Sequence, residues 1–170
     1  AFIREAYEAD IPLLGICFGH QAIAQALGGE VVKWPDGWGV GVRPTRFERP
    51  PVAKAELPDD AVVKLIYFHQ DQVTRLPEGA ERLASSDFCD EAGFTLCTTD
   101  GVQTVLCLQG HPEFDAGYST ALLDSIESKV GTDRTKTARA SLAKKTDSPL
   151  VAGWIKQFFT TAAQRRGWAA

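Results

Sequence analysis

The stretch LLGICFGHQAIAQALGG, residues 13–29, decides the fold because it joins an apolar run to a helical pattern through a single cysteine. The run at residues 12–16 is short and apolar, which is typical of a strand buried on both faces. The residues after the cysteine repeat apolar side chains at helical spacing and reach a Gly28-Gly29 pair, where a helix is expected to end. A strand that passes at once into a helix places Cys17 on a sharp corner.

Cys17 stands between Gly15 and Gly19, and this G-x-C-x-G arrangement follows the logic of a nucleophile elbow with sulfur in place of oxygen. Such a corner projects its side chain from the carboxyl edge of the sheet, where open α/β sheets bind ligands. The corner also lies at a helix N-terminus, which favours thiolate over thiol, and the backbone N–H of Phe18 would face an oxyanion formed beside the sulfur. The pentapeptide alone leaves open a plain glycine-containing turn with an inert cysteine.

A reactive thiol needs a proton carrier, and the chain has three histidines, His20, His69 and His111. His20 is expected in the first turn of the helix, where a packing or capping role would explain it. His111 follows an apolar strand in the segment QGHPEF, and Glu113 is close enough in sequence to hydrogen-bond its imidazole and hold its tautomer. A cysteine, a histidine and a carboxylate on strand-end loops form the constellation expected for acyl transfer. Taken alone, HPE is also compatible with an ordinary surface histidine.

Composition and charge exclude several classes of function. The 170 residues predict one domain, and a net charge of −4 without a basic stripe argues against a nucleic-acid partner. The apolar runs are too short to span a bilayer and no leader resembling a signal peptide is visible, so we expect a reduced, cytoplasmic setting and no membrane partner. The chain contains no methionine and begins inside a helical pattern, which leads us to expect a fragment that lacks its true N-terminus.

The four cysteines match no zinc-ligand spacing, so no metal site is predicted. Cys97 and Cys107 lie in apolar, strand-like runs and are predicted to be small buried side chains. Cys89 lies in a polar loop and is assigned no role.

The remaining pattern changes from strands to helices after residue 115. Strands are predicted at 30–34, 40–47, 61–69 and 80–86 and in a hairpin over 94–109 that turns at Asp100-Gly101, with a polar loop at 69–73. Helices are predicted at 2–9, 118–130, 133–146 and 149–166, the last with Ser148 as N-cap and Pro149 at the first helical position. This order favours an open α/β sheet with an antiparallel extension, covered by C-terminal helices.

Three segments in order, GICFGHQ (15–21), FHQDQVTRLPEGAERLASS (68–86) and QGHPEF (109–114), resemble the class I (triad-type) glutamine amidotransferases. The resemblance covers roughly residues 8–160 and is strongest to the stand-alone, GMP-synthase-like members, which include gamma-glutamyl peptide hydrolases. It implies that residues 1–170 form one amidotransferase domain, incomplete at its N-terminus. The implied fold is α/β, a flavodoxin-like open, mostly parallel sheet with an antiparallel extension and C-terminal helices, whose N-terminal strands are missing.

The resemblance also implies a cofactor-free reaction and its residues. Cys17 would attack the side-chain amide of glutamine to form a glutamyl thioester. His111 would protonate the leaving ammonia and then activate the water that hydrolyses the thioester, and Glu113 would orient His111.

Four further residues match positions around the substrate in this family. The Phe18 N–H would supply one oxyanion donor, and Gln21 would contact the substrate glutamine. His69 and Asp71 fall where the family places a pocket-lining loop, although the segment here reads FHQDQV, and Asp71 is equally explained as a turn residue.

Two departures from the family pattern lead to further expectations. The family's opening strands and the upstream glycine loop, which supplies the second oxyanion donor, precede the elbow and are not in this chain. Because losing one donor costs about 10²–10³ in rate, we expect the chain by itself to be poorly active and poorly stable, and the intact parent to be active. No synthetase domain follows the last helix, so any ammonia acceptor would be carried by a separate synthetase or by another acceptor polypeptide.

Alternatives to glutamine hydrolysis remain open at this level. A gamma-glutamyl peptide hydrolase would use the same triad with an amine as leaving group. A non-catalytic regulatory subunit would keep the fold without the chemistry, although intact Cys17, His111 and Glu113 argue against it. A cysteine peptidase or chaperone of the same superfamily fits the elbow but not the GHQ and GHPEF segments.

Overall fold

Alternating short apolar strands and amphipathic helices fold this chain into an α/β domain, which a computed structural model describes for residues 1–53 and 55–168. The elements are α1 (Phe2–Glu8), β1 (Leu13–Ile16), α2 (Phe18–Ala26), β2 (Glu30–Lys33), β3 (Gly39–Phe47), β4 (Val62–His69), β5 (Asp71–Arg75), β6 (Glu81–Ser85), β7 (Gly93–Cys97), β8 (Gln103–Leu108), α3 (Ala116–Val130), α4 (Thr132–Ser141) and α5 (Ser148–Arg165). No helix in the described part of the chain has both the length and the apolar character needed to cross a membrane.

The main sheet has six strands in the order β1-β8-β7-β6-β3-β4, and β2 pairs with β5 in a separate two-stranded sheet. The α/β class, the antiparallel extension and the C-terminal helices are confirmed. The proportions differ from expectation, because within the described residues only the pairing of β1 with β8 is parallel and the other pairings of the main sheet are antiparallel. For β7 and β8 the reason is connectivity, because a tight hairpin joins them and permits only antiparallel pairing.

The parallel pair β1 and β8 positions the candidate site. Ile16, the last residue of β1, lies opposite Leu108, the last residue of β8. Parallel strands that end in register deliver the residues that follow them to the same edge of the sheet. The corner at Cys17 and the segment beginning at Gln109 are therefore neighbours.

The core lies on both faces of the sheet. Helix α5 covers one face through Val151, Trp154 and Phe158, which pack with Leu65 and Tyr67 of β4. Ile66, which lies between them in β4, contributes to a cluster with α3 and α4 on the other face, because successive side chains of a strand point to opposite sides. Helix α2 is buried separately, against β7 and β8.

Several local predictions are confirmed and others are wrong. The hairpin turn has Gly101 at φ 80°, as the Asp-Gly pair indicates. The predicted polar loop at 69–73 is instead a close strand-to-strand connection, because Gln72 and Val73 are buried when β5 pairs with β2. The N-cap residue of α5 is Asp147 rather than Ser148, although its side chain makes no capping hydrogen bond to the helix, and Pro149 is the second helical residue because the helix begins at Ser148.

The cysteine predictions divide in the same way. Cys107 is buried as predicted, whereas Cys97 is exposed because it ends its strand at the rim of the sheet. Cys89, expected in a polar loop, is fully buried.

Candidate active site

Cys17 occupies a strained corner between β1 and α2. Its backbone has φ 48° and ψ −102°, a left-handed φ that is uncommon for a residue other than glycine, and it is the N-cap residue of α2. Strain of this kind costs about 1–3 kcal/mol and is found where function requires a particular side-chain direction. The thiol is half-buried and its Sγ contacts the carbonyl oxygen of Phe68 at 3.8 Å.

The two glycines beside the cysteine have different roles. A Cβ on Gly15 would lie 2.8 Å from Cys107 Sγ and 2.8 Å from the carbonyl carbon and oxygen of Gly19, so the strand and the helix approach too closely for a side chain there. A Cβ on Gly19 would meet no other residue within 4 Å, apart from its chain neighbours and the nearby backbone of its own helix. The close passage of the chain expected at this corner therefore requires glycine at position 15 and not at position 19.

The Cys17 thiol is neutral in the resting site. Burial, assisted by the nearby Glu113 carboxylate, raises its pKa from 9.0 to about 11. The Phe18 backbone N–H and the Gln109 side-chain amide act in the opposite direction and lower the pKa, but they do not overcome burial. The position of Cys17 at a helix N-terminus is therefore not enough to ionise the thiol, and the sulfur would need an acceptor for its proton in order to act as a nucleophile.

His111 and Glu113 form a hydrogen-bonded pair directly after β8. Nδ1 of His111 lies 2.7 Å from Oε1 of Glu113, and the imidazole stacks on Phe114 with ring centroids 3.8 Å apart. Because a carboxylate only accepts, Nδ1 carries the proton in the neutral ring and Nε2 is left as an acceptor. The ring is therefore fixed in orientation and in tautomer.

Backbone pairing brings this histidine to the cysteine's edge of the sheet. The Cys17 N–H donates to the Leu108 carbonyl at 2.9 Å, and the His111 N–H donates to the Ile66 carbonyl at 2.7 Å. Ile66 precedes by two residues Phe68, whose carbonyl contacts the Cys17 sulfur. A Cβ on Gly110 would lie 2.9 Å from Leu65 Cβ, so glycine is what lets the chain after β8 approach β4 this closely.

A cavity of about 360 Å³ opens beside Cys17. Three of the predicted substrate contacts, Gln21, His69 and Asp71, line it, together with Lys33, Trp38, Phe68 and Gln70. The carbonyl of Asp71 accepts from Gln21 Nε2 at 2.6 Å and from His69 Nδ1 at 2.9 Å, so it organises this wall of the cavity through its backbone while its side chain is exposed. Phe18 is 77% exposed, and only its N–H is directed at the cysteine.

Both other histidines are held neutral. Burial lowers the pKa of His69 to about 4 and that of His20 to about 3. His20 is fully buried against the Phe94 ring, at 5.1 Å between centroids, which confirms the packing role. Across residues 1–53 and 55–168, no group of three or more His, Cys, Asp and Glu side chains is arranged to hold a metal ion.

Sequence reasoning missed three residues of this region. Gln109 is fully buried and bonded to Gln21, and its signal was a lone polar residue at the end of an apolar strand. Lys33 and Trp38 line the cavity from β2 and from the connection before β3. No sequence pattern points to these two, because they reach the site only through the pairing of β2 with β5.

Comparison with known proteins identifies the family. The family described as glutamine amidotransferase class-I matches residues 1–125. Gamma-glutamyl peptidase 3 of Arabidopsis thaliana is 33% identical over 120 residues, which are 67% of this chain and 45% of that protein. A glutamine-hydrolyzing GMP synthase subunit of Archaeoglobus fulgidus is 40% identical over 82 residues, covering 48% of this chain and 43% of that protein.

Among solved structures, a glutamine amidotransferase from Thermotoga maritima superposes with a TM-score of 0.71 at 24% identity, covering 92% of this chain and 66% of that one, which supports the fold. The chain spans about half the length of the curated relatives it matches. The family match covers most of the chain and includes the elbow and the His111 segment. This chain belongs to the class I glutamine amidotransferase family.

Proposed function

We propose that this protein hydrolyses the side-chain amide of glutamine through Cys17, His111 and Glu113, with a glutamyl thioester as intermediate. The observation that carries the proposal is the strained Cys17 corner, with φ 48°, at the same sheet edge as a histidine bonded to a carboxylate at 2.7 Å. Strain at a cysteine has no value for packing, whereas a nucleophile gains a defined direction of attack from it.

The first half of the reaction transfers one proton twice. Because the thiol is neutral at rest, its proton passes to Nε2 of His111 as the sulfur bonds to the amide carbon. The imidazolium is stabilised by Glu113, and it then gives the proton to the leaving nitrogen as the C–N bond breaks. The products of this half are ammonia and the glutamyl thioester.

The second half repeats the sequence with water. His111 takes a proton from water as the oxygen attacks the thioester carbonyl, and it returns this proton to the sulfur when the C–S bond breaks. Glutamate and the neutral thiol result. In this proposal the N–H of Phe18, the first residue of α2, donates to the oxyanion formed in both halves.

A second candidate, hydrolysis of gamma-glutamyl peptides, is favoured by the shape of the surface beside the cysteine. The cavity at Cys17 shares Lys33, Trp38 and Gln70 with an adjoining cavity of about 1000 Å³, which offers room for a group larger than an amide. Relatives named gamma-glutamyl peptidase point the same way. Relatives named as GMP synthase subunits support the other arrangement, in which a separate synthetase uses the ammonia.

The test is performed on the intact protein, meaning this chain with any residues that adjoin it. Ammonia release from glutamine and amine release from gamma-glutamyl peptides are measured side by side, and the larger kcat/KM decides between the two substrates. We expect Cys17→Ser and His111→Asn to abolish both activities, and Glu113→Gln to lower kcat by about 10²-fold or more.

The matched control is Cys97→Ser, which alters an exposed thiol at the end of β7 and should leave the rate unchanged. A diazo ketone analogue of glutamine should label Cys17 and not Cys97. A protein that is folded but neither labelled nor active on either substrate would refute the proposal and favour a non-catalytic role.

A further inference from the structure

A chain of buried amides runs behind the nucleophile. Gln109 follows β8 directly and is fully buried, and its Oε1 accepts from Gln21 Nε2 at 3.1 Å. The same Nε2 of Gln21 donates to the Asp71 carbonyl at 2.6 Å. The network therefore extends from the base of the elbow to the wall of the substrate cavity.

The orientation of both amides follows from one fixed acceptor. The Asp71 backbone carbonyl can only accept, so the short contact to it must come from the NH₂ group of Gln21. That NH₂ group also faces Gln109, which must present its oxygen in return. The NH₂ group of Gln109 is thereby turned away from Gln21.

The NH₂ group of Gln109 has no hydrogen-bond partner among the residues that the structure describes. An unpaired buried donor costs about 1–3 kcal/mol, so its persistence calls for an explanation. The backbone explains where it lies: the Cys17 N–H donates to the carbonyl of Leu108, the residue just before Gln109, at 2.9 Å. Gln109 therefore lies next to the backbone of Cys17.

We propose that Gln109 is a positioning residue that gives the Cys17 sulfur a hydrogen-bond donor when it ionises, while its carbonyl oxygen holds Gln21 in place for the substrate. This inference rests on the proposed function of Cys17. In the neutral state the thiol is directed to the Phe68 carbonyl, an acceptor that favours S–H, at 3.8 Å. When the proton leaves, that contact becomes repulsive and the amide N–H of Gln109 becomes the favourable neighbour.

The electrostatics around the sulfur agree with this role. The Gln109 amide lowers the pKa of the Cys17 thiol, opposing burial and the Glu113 carboxylate, both of which raise it. Cys89, which precedes β7, is a further titratable group that interacts with Cys17, and its own pKa is raised to about 12 by burial, so it stays neutral. The thiolate is therefore favoured by the Phe18 N–H at the helix start and by the side chain of Gln109.

The test replaces Gln109 and follows the reactivity of the thiol without any substrate. Gln109→Met removes the donor at similar volume, and Gln109→Glu keeps the shape but replaces the NH₂ group by an acceptor. The rate of Cys17 alkylation by iodoacetamide is followed from pH 7 to pH 10, where it is proportional to the small thiolate fraction. Loss of a hydrogen bond to a charged sulfur should lower this rate about tenfold or more in Gln109→Met, and further in Gln109→Glu.

The control is Gln103→Met at the opposite end of β8, whose amide donates to Pro51 and Thr95 away from the site. Cys17 in this variant should be alkylated at the wild-type rate. If a Gln109 variant folds and alkylates like wild type at every pH, the proposal is wrong.

A measurement on the wild type covers the case in which the variants do not fold. One glutamine side-chain NH₂ signal should shift in the NMR spectrum as the thiol titrates, and it should not shift in Cys17→Ala. The proposal would also be overturned if no glutamine side-chain NH₂ signal shifted as the thiol titrates. Neither readout depends on glutamine hydrolysis, so a protein inactive towards glutamine could still confirm or refute the role of Gln109.

Discussion

Substituting Gly15 by alanine should distort the strand-to-helix corner at Cys17, whereas the same change at Gly19 should not. A Cβ at position 15 would stand 2.8 Å from Cys107 Sγ on one side and 2.8 Å from the Gly19 carbonyl group on the other. The ordinary separation of non-bonded carbon atoms is at least about 3.5 Å, so the overlap is about 0.7 Å on each side. One of the obstacles is backbone at the start of α2, which cannot rotate away as a side chain would.

The expected cost follows from this overlap. Overpacking a core site destabilises by about 1–3 kcal/mol, and the backbone contact places Gly15→Ala at the upper end. At a urea slope of about 1–3 kcal/mol per molar, a cost of about 3 kcal/mol should lower the midpoint of unfolding by about 1–3 M. In contrast, Gly19→Ala adds a methyl group where no other part of the fold lies within 4 Å, and it should stabilise α2 by about 0.4–1 kcal/mol.

Both effects can be measured by urea unfolding of the two variants and the wild type, followed by circular dichroism. The midpoint should fall in Gly15→Ala and rise in Gly19→Ala. Activity adds a second readout, because moving the sulfur by about 1 Å should cost about 10²-fold in rate in Gly15→Ala. Equal midpoints for the two variants, or a wild-type midpoint for Gly15→Ala, would refute the claim that close strand-helix passage at position 15 holds the corner.

Three further changes test other parts of the fold. Burial lowers the pKa of His20 from 6.5 to about 3, so the stability that the neutral ring contributes is complete above pH 6.5 and is lost as the pH falls towards 3. In His20→Leu the free energy of unfolding should therefore change by about 2 kcal/mol less between pH 7 and pH 5 than in the wild type, and equal pH slopes would contradict this. Asp147→Ala should lower the free energy of unfolding by about 1 kcal/mol in thermal or urea unfolding, because Oδ2 of this N-cap residue accepts from a β4 backbone N–H at 2.8 Å. Ser148→Ala should be near neutral, and a larger loss in Ser148→Ala than in Asp147→Ala would show that Ser148 is the cap. Gly110→Ala should lower the rate of glutamine hydrolysis by about 10²-fold, because a Cβ there would push the chain off β4 and displace His111; a variant with the wild-type rate would show that this close approach does not position the imidazole.

Local features of the fold could be predicted well from the sequence. Strand β1, helix α2 and the β7-β8 hairpin depend on periodicity and on turn residues a few positions apart, and these act within one element. The corner at Cys17 belongs to this group, because glycine at position 15 and a helical pattern beyond it are adjacent in the chain. His111 and Glu113 are only two residues apart, so their 2.7 Å hydrogen bond was also a local expectation.

Features that depend on distant segments were predicted poorly. Residues 71–75 are mostly polar and do not alternate as a strand would, but they form β5 because they pair with β2. That pairing also carries Lys33 and Trp38 to the cavity. Cys97 and Cys107 both follow a leucine in a predicted strand, and their opposite exposure arises because Cys97 is the last residue of β7 whereas Cys107 lies inside β8.

The amino-acid sequence by itself determined the candidate catalytic groups of this protein, because their chemistry and their position at a glycine corner or a strand end depend on adjacent residues. Only the tertiary structure decided what surrounds the sulfur: the buried amides of Gln109 and Gln21, the Phe68 carbonyl and the Asp71 carbonyl. These groups come from α2, β4, β5 and the segment after β8. Their meeting depends on the register in which β1 and β8 pair and on the packing of β4 beside the segment after β8. Such long-range pairing is selected by the burial of the whole core and not by any single segment, which is why it could not be foreseen from the residues alone.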